Sequence, residues 1–334
     1  MADAILLLSF GGPDGPEDVM PFLENVTRGR NIPRERLEEV AEHYLHFGGR
    51  SPINDQNREL LQKLRNLLQS EGPDLPVYWG NRNWHPLLAD TLRQMKEDGI
   101  TRVFVFVTSA FSSYSGCRQY LENLSQAQKE TGFENLEILK LRAYFNHPGF
   151  LEPLIDHTKE ALSQLPNGHV IFTAHSIPLS MAQGSRYEAQ LQEASRLVAD
   201  ACSVDNFDLV WQSRSGAPQI PWLEPDILDH LRALSQRGVH DVVIVPIGFV
   251  SDHMEVLYDL DTEARELCEE LGINMKRVAT TGSDNRFIAM IRDLVMERQN
   301  QKPGKFLGVI GLSPDVCDSR CCPAPVRPGV RPTR

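Results

Sequence analysis

The sequence predicts an α/β protein of two similar lobes, each with a four-stranded parallel sheet flanked by helices, around a cleft. Three observations predict it. Eight short runs rich in apolar and β-branched residues recur along the 334 residues, and they are near-continuous rather than alternating, as in sheets covered on both faces. Helical stretches with polar flanks alternate with these runs, which is the pattern of a doubly wound fold. The runs also divide evenly, four on each side of 145–149 (FNHPG), where Pro and Gly punctuate the chain.

In order, the strand runs are 4–10, 76–82, 102–110, 137–144, 169–176, 207–213, 241–249 and 275–281. Helical patterns fill 53–70, 86–98, 118–131, 150–164, 187–203, 224–237, 254–272 and 285–300. The last of these has the option of crossing back to the first lobe. The expected organisation is therefore an N-terminal lobe 1–147, a C-terminal lobe 148–304 and a tail 305–334, whose Pro- and Arg-rich end 323–334 should be mobile.

Composition narrows the function. With 34 basic and 45 acidic residues the formal net charge is −11, so nothing draws the whole chain to a phosphate backbone, and a nucleic-acid binder is not expected. The longest apolar runs hold about ten residues, against ~18 for a spanning helix. The start MADAILLLSFGG lacks a basic n-region and a cleavage site. These points lead to an expected cytoplasmic location with no membrane anchor. No G-x-G-x-x-G follows a strand and no P-loop is present.

In open α/β sheets the ligand crevice lies at the carboxyl ends of the strands. At the end of the fifth run stands TAHSIP (173–178), with His175 where the strand stops. An imidazole there ligates a borderline metal ion or takes a proton near neutral pH; the plainer alternative is a hydrogen-bonded loop histidine. After the seventh run comes GFVSDHMEVLYDLDTEA (248–264), in which Glu255, Asp259 and Glu263 are spaced four and four. On a helix this puts three carboxylates on roughly one face, which asks for a cation or a shared proton, or else is a solvated acidic face. The apolar neighbours Met254, Val256 and Leu257 argue for burial. Arg28 and Arg30 flank a glycine in VTRGRNIP (26–33), either as carboxylate-binding forks or as solvated arginines. Ser51 sits in FGGRSPIN (47–54), a turn able to approach a flat ligand. Tyr120 follows the third run, where an aromatic suits a macrocycle wall or the core.

These segments carry a resemblance. LLLSFGGP, TRGR, HFGGRSPIN, GNRNW (80–84), TAHSIP, WQSRSG (211–216), PWLEPD (221–226) and GFVSDHMEVLYDLD resemble the ferrochelatases over nearly the whole chain except the tail. That family inserts Fe²⁺ into a porphyrin in a cleft between two Rossmann-like lobes without a nucleotide. The resemblance implies that His175 matches the family's histidine and Glu255 its metal-site glutamate, with Asp259 and Glu263 as the acidic relay. It implies porphyrin contacts at Ser51, Tyr120, Phe10, Arg28 and Arg30. Phe10 stands where some relatives carry a tyrosine that approaches the iron, and a phenyl ring has no oxygen with which to do so.

Six cysteines are present, three of them crowded into CDSRCC (317–322). Cys317, Cys321 and Cys322 lack a fourth thiolate for a Cys₄ cluster, and Cys117 in SSYSGC is the candidate. Some ferrochelatases hold a 2Fe-2S cluster with one internal and three C-terminal cysteines, and the sequence resembles that subgroup. A Cys₄ zinc site and a free-thiol tail are the alternatives. Cys202 and Cys268 lie in helical surroundings and are expected to be inert.

The expected function is thus a haem-pathway ferrochelatase, with Fe²⁺ as substrate and a transient partner among the enzymes of that pathway. The charged stretch 34–47 (RERLEEVAEHYLHF) offers no apolar lip for a membrane, which favours coproporphyrin III over protoporphyrin IX. A non-enzymatic haem or metal carrier is the alternative of another class, although a carrier has no need of both a base and a carboxylate ladder.

Overall fold

The computed structural model describes residues 2–29, 32–216, 219–299 and 302–325. β1 (Ala4–Ser9) leads through a glycine turn into α1 (Pro16–Val26), α2 (Arg34–His46) and α3 (Ile53–Glu71). β2 (Val77–Asn81), α4 (Leu88–Glu97), β3 (Arg102–Val107), a π-helical turn Tyr114–Arg118, α5 (Gln119–Thr131) and β4 (Glu137–Lys140) follow. α6 (Pro148–Gln164) then crosses to β5 (His169–His175), α7 (Leu179–Gln183), α8 (Tyr187–Ala201), β6 (Phe207–Gln212), α9 (Ile227–Gln236) and β7 (Asp241–Val245). One long helix comes next, built of α10 (Met254–Val256), a π-helical segment Leu257–Ala264 and α11 (Arg265–Leu271). β8 (Asn274–Arg277) and α12 (Asn285–Arg298) complete the second half.

All strand pairs are parallel, in two sheets of the same order, β2-β1-β3-β4 and β6-β5-β7-β8. The expected fold of two four-stranded parallel lobes is therefore what forms. Each apolar run produces its strand, and the strand stops before the run does. β3, for example, ends at Val107, and the apolar residues after it turn into the loop above the sheet.

One core serves both lobes. Ile5, Leu7, Phe104 and Phe106 of the first sheet pack in the same buried cluster as Phe172, Val243 and Val245 of the second. Between them Tyr144 stacks on Phe106 at 5.0 Å, and Phe150 and Phe287 close on that pair. The crossing at residues 141–147 is buried throughout, so the chain passes between lobes through the core rather than along an exposed linker. α12 does cross back: it packs on α3 as well as α6, and Lys63 of α3 donates to the Ser283 carbonyl just before it. The segment 302–325 is also pinned to the body. Asn146 donates to the Leu307 and Gly311 carbonyls, and Lys302 and Lys305 pair with the buried Asp293. Of the Pro- and Arg-rich end, residues 326–334 lie outside the described residues.

Three helices escape the sequence patterns. α1 carries a proline inside it, α2 is charged and buries only Ala41, and α7 is five residues long. The 254–272 helix forms, but its middle is π-helical rather than α-helical. Such wide turns are rare and frequently lie at functional sites.

Candidate active site

β5 is the central strand at the point where the second sheet reverses its strand order, and the crevice of an α/β sheet opens there. His175 is its last residue. Its Nδ1 lies against the Ser176 carbonyl, which only accepts, so in the neutral ring Nδ1 carries the proton and Nε2 the lone pair. Tyr187 steadies the same turn, its hydroxyl donating to the His175 carbonyl at 3.0 Å.

The facing groups come from the end of β7. Gly248 must be glycine: a Cβ there would stand 2.5 Å from the Cβ of Ala174. That close approach brings the loop beside β5 and delivers His253 and Glu255. The Glu255 Oε2 lies 3.8 Å from His175 Nε2 and 3.5 Å from His253 Nε2. Burial lowers the His253 pKa and favours its neutral, ligating form, although the Glu255 charge pulls the other way. The Glu255 carboxylate thus stands between two imidazoles, although the three donors do not all lie within 4.8 Å of one another; nitrogen and oxygen donors of this kind suit a first-row divalent cation or a shared proton.

The carboxylates continue along the wide helix. Asp259 accepts from Gln212 Nε2 at 3.2 Å and from the Ser213 hydroxyl. Burial pushes its pKa up to about 7, and the charges of Glu255 and Glu263 add to the rise. Glu263 is raised by burial and then by Asp226. Beyond Asp226 opens a cavity of ≈ 470 Å³ whose lining includes Ser176, Trp211, Arg214 and Glu224. The ladder therefore leads from the His175–Glu255 pair to an acidic opening.

The first lobe covers this end of the second. His43 of α2 stacks on Tyr258 with centroids 3.7 Å apart, and Gln56 of α3 donates to the Asp252 carbonyl. Tyr44 is half-buried, and burial of its hydroxyl with the Glu255 charge raises the hydroxyl pKa.

The other expected contacts are placed less uniformly. Phe10 and Tyr120 share Arg82, whose guanidinium lies 5.6 Å from one ring and 4.5 Å from the other. Tyr120 is 4% exposed and packs with Leu92 and Leu124, so it offers a ligand little area. Ser51 is 3% exposed and is held against the first turn by donating its amide to the Pro13 carbonyl. Arg28 is exposed and donates to Asn25. Arg30 lies outside the described residues. His253 was not singled out from the sequence. Its signal is positional: two residues before Glu255, at the mouth of the same helix.

The four expected cysteines meet although 200 residues separate Cys117 from the tail. Cys117 hydrogen-bonds Cys322, which holds the Cys117 thiol below its ordinary pKa and pushes the Cys322 thiol up. The Cys321 and Cys322 sulfurs are 3.5 Å apart, and Cys317 hydrogen-bonds Cys321. Arg118 donates to the carbonyls of Ser319, Cys321 and Cys322. Cys202 and Cys268 stand elsewhere, with thiol pKa values raised by burial, that of Cys268 to about 11.

The ferrochelatase family pattern matches residues 2–299. The chain is 56% identical to a coproporphyrin III ferrochelatase of Streptomyces coelicolor, covering 96% of this chain and 93% of that protein. It is 55% identical, with the same coverage, to a ferrochelatase of Rhodopirellula baltica. Among solved structures it is similar to SirB from Bacillus subtilis with Fe³⁺, with a TM-score of 0.52 and 12% identity over 90% of this chain and 98% of that one; that likeness concerns the fold. None of the described helices is long and apolar enough to cross a membrane. The chain belongs to the ferrochelatase family.

Proposed function

We propose that the protein inserts Fe²⁺ into coproporphyrin III, releasing two protons and forming Fe-coproporphyrin III in haem biosynthesis. The observation that carries this is the convergence of His175 Nε2 and His253 Nε2 on the Glu255 carboxylate, with the near-neutral Asp259 directly behind. Insertion must strip two pyrrole N–H protons and deliver a desolvated cation. In this reading Glu255 and His175 bind the arriving Fe²⁺, and as the ion passes to the porphyrin the Nε2 lone pair that it vacates accepts a pyrrole proton. Asp259, poised between charged and neutral at pH 7, passes protons outward to Glu263. Phe10 and Arg82 line the porphyrin side, with Ser51, Tyr120, Arg28 and Arg30 as the further contacts carried over from the family.

Two supports favour coproporphyrin III over protoporphyrin IX. Relatives at 49–56% identity bear that substrate in their names. The outer face of α2 is charged, with Arg34–Glu38 and Arg36–Glu39 pairs exposed, which suits a tetracarboxylate handled in water. Initial rates of anaerobic iron insertion into the two porphyrins test this. A cytoplasmic location, a transient haem-pathway partner and a division into lobes 1–147 and 148–304 belong to the same reading.

Cys117, Cys317, Cys321 and Cys322 would hold a 2Fe-2S cluster, a one-electron redox group. Their fit rests on the string of thiol contacts and on Arg118 fixing the tail backbone. Among the described residues no three of these sulfurs lie within 4.8 Å of one another, whereas one tetrahedral zinc needs its sulfurs ~4 Å apart. A string of four suits two irons better than one zinc.

A further inference from the structure

A second group of metal-ligating side chains lies at the opposite end of β5 from His175. β5 spans seven residues, so the two ends are ~20 Å apart at about 3.3 Å per residue. His169 opens the strand. The β5–β6 register pairs Ile171 with Asp208, and His169, two residues before Ile171, shares the face that Asp208 occupies. α9 covers that face: Ile227, Leu231 and Leu234 bury against Ile171 and Val210. His230, three residues after Ile227, is thereby brought over the sheet's lower edge. The result is a His–Asp–His group contributed by two strands and a helix.

We propose that His169, Asp208 and His230 bind a divalent first-row transition cation of the zinc, nickel or copper kind, at a site separate from the catalytic centre. Both imidazoles present Nε2 to the same oxygen, Asp208 Oδ2, at 2.6 Å and 3.0 Å. The ligand atoms of all three residues lie within 4.8 Å of one another, and among the described residues this is the one group that meets that condition. Two histidines and a carboxylate are a donor set of open zinc sites, with water in the fourth position. Ligand bonds of about 2.0–2.1 Å in a tetrahedron put donor atoms ~3.4 Å apart, so each Nε2 need retreat from Oδ2 by less than about 1 Å. All three residues are half-buried, which leaves a route for the ion and a place for that water. Burial keeps His230 on the neutral, ligating side, and the Asp208 carboxyl is held below its usual range by the two imidazoles. Arg237, at the end of α9, is the opposing charge nearby.

An ion here ties the start of β5, the start of β6 and the middle of α9 together, and by binding the folded lobe it stabilises it. Equilibrium dialysis of the porphyrin-free, EDTA-treated chain against Zn²⁺ tests the site. The wild type should bind one equivalent more than Asp208→Asn or His230→Ala, or bind that equivalent at least tenfold more tightly, while zinc at the remaining sites is unchanged. Zn²⁺ should raise the melting temperature of the wild type by more than that of Asp208→Asn, which retains the size and shape of the side chain. Equal stoichiometry and affinity in wild type and Asp208→Asn would overturn the proposal. Diffraction at the zinc edge from wild-type crystals decides independently of any variant. An anomalous peak between the two Nε2 atoms supports the site, and a peak at His175 and Glu255 with none here overturns it.

Discussion

The ring of His43 lies flat on that of Tyr258, 3.7 Å apart and 8° from parallel. One residue belongs to α2 of the first lobe and the other to the π-helical segment that carries Asp259 and Glu263. The stack is thus a strap across the cleft, next to the ladder on which proton movement is proposed to depend. Ring pairs contribute about 0.5–1.5 kcal/mol beyond their burial. His43→Ala and Tyr258→Leu should each lower stability by about 1 kcal/mol and raise the porphyrin KM more than they change kcat. The double variant should be little worse than either, since both remove one contact. Additive losses in denaturant melts would show that the rings act separately.

His175→Ala should abolish iron insertion while porphyrin affinity, read from fluorescence quenching, stays within about tenfold. The base and ligand are lost but the cleft remains. Turnover near that of the wild type would remove His175 from the mechanism.

Glu255→Gln should slow insertion more than Glu263→Gln. Glu255 faces both histidines, whereas Glu263 lies two helical turns further out and is half-buried. His253→Ala should fall between them. Equal small effects from all three, in steady-state rates, would fit a solvated acidic face instead.

Asp259 gives a stability test with a definite sign. Its carboxyl has an ordinary value of 3.8 and is pushed up to about 7 in the folded protein. The folded state then binds the proton more tightly than the unfolded one, so stability falls as pH rises from about 4 to about 7 and stays reduced above. The full penalty is a few kcal/mol in order of magnitude. Asp259→Asn should therefore melt higher than the wild type at pH 8, with an advantage that shrinks as pH is lowered towards 5. It should also insert iron more slowly. A melting difference that does not change with pH would mean that the carboxyl titrates normally.

Each of Cys117, Cys317, Cys321 and Cys322 changed to Ser should bleach the visible absorbance of a purified, cluster-loaded protein, while Cys202→Ser and Cys268→Ser should not. Arg118→Ala should make the tail sensitive to protease even with all cysteines present, because three tail carbonyls lose their donor. A colourless protein holding one tightly bound zinc would move these thiols to a zinc site.

The strands were legible because each is a compact apolar run; His175 and the carboxylate segment were singled out at the ends of their runs, and their pairing came from the family resemblance. α2 was not legible as a helix: it buries only Ala41, and its remaining partners, Phe22 and Tyr258, are distant in sequence. The wide turn at 257–264 was hidden because a spacing of four is read as α-helical whether the backbone is α or π. His253 and Arg82 were passed over for a related reason. A single sequence gives the order of side chains along a loop but not which of them turns inward. The docking of Cys117 against the tail lay between these cases, since thiol number suggested the set and only the fold supplies the contacts.

The central claim is metal insertion into a tetracarboxylate porphyrin, and stopped-flow mixing of the anaerobic protein with Fe²⁺ and free porphyrin tests it most directly. Catalytic loss of the free-base spectrum is expected with coproporphyrin III, at a kcat/KM at least tenfold above that with protoporphyrin IX. Binding of coproporphyrin III without iron insertion over many turnovers, or a preference for protoporphyrin IX, would contradict it.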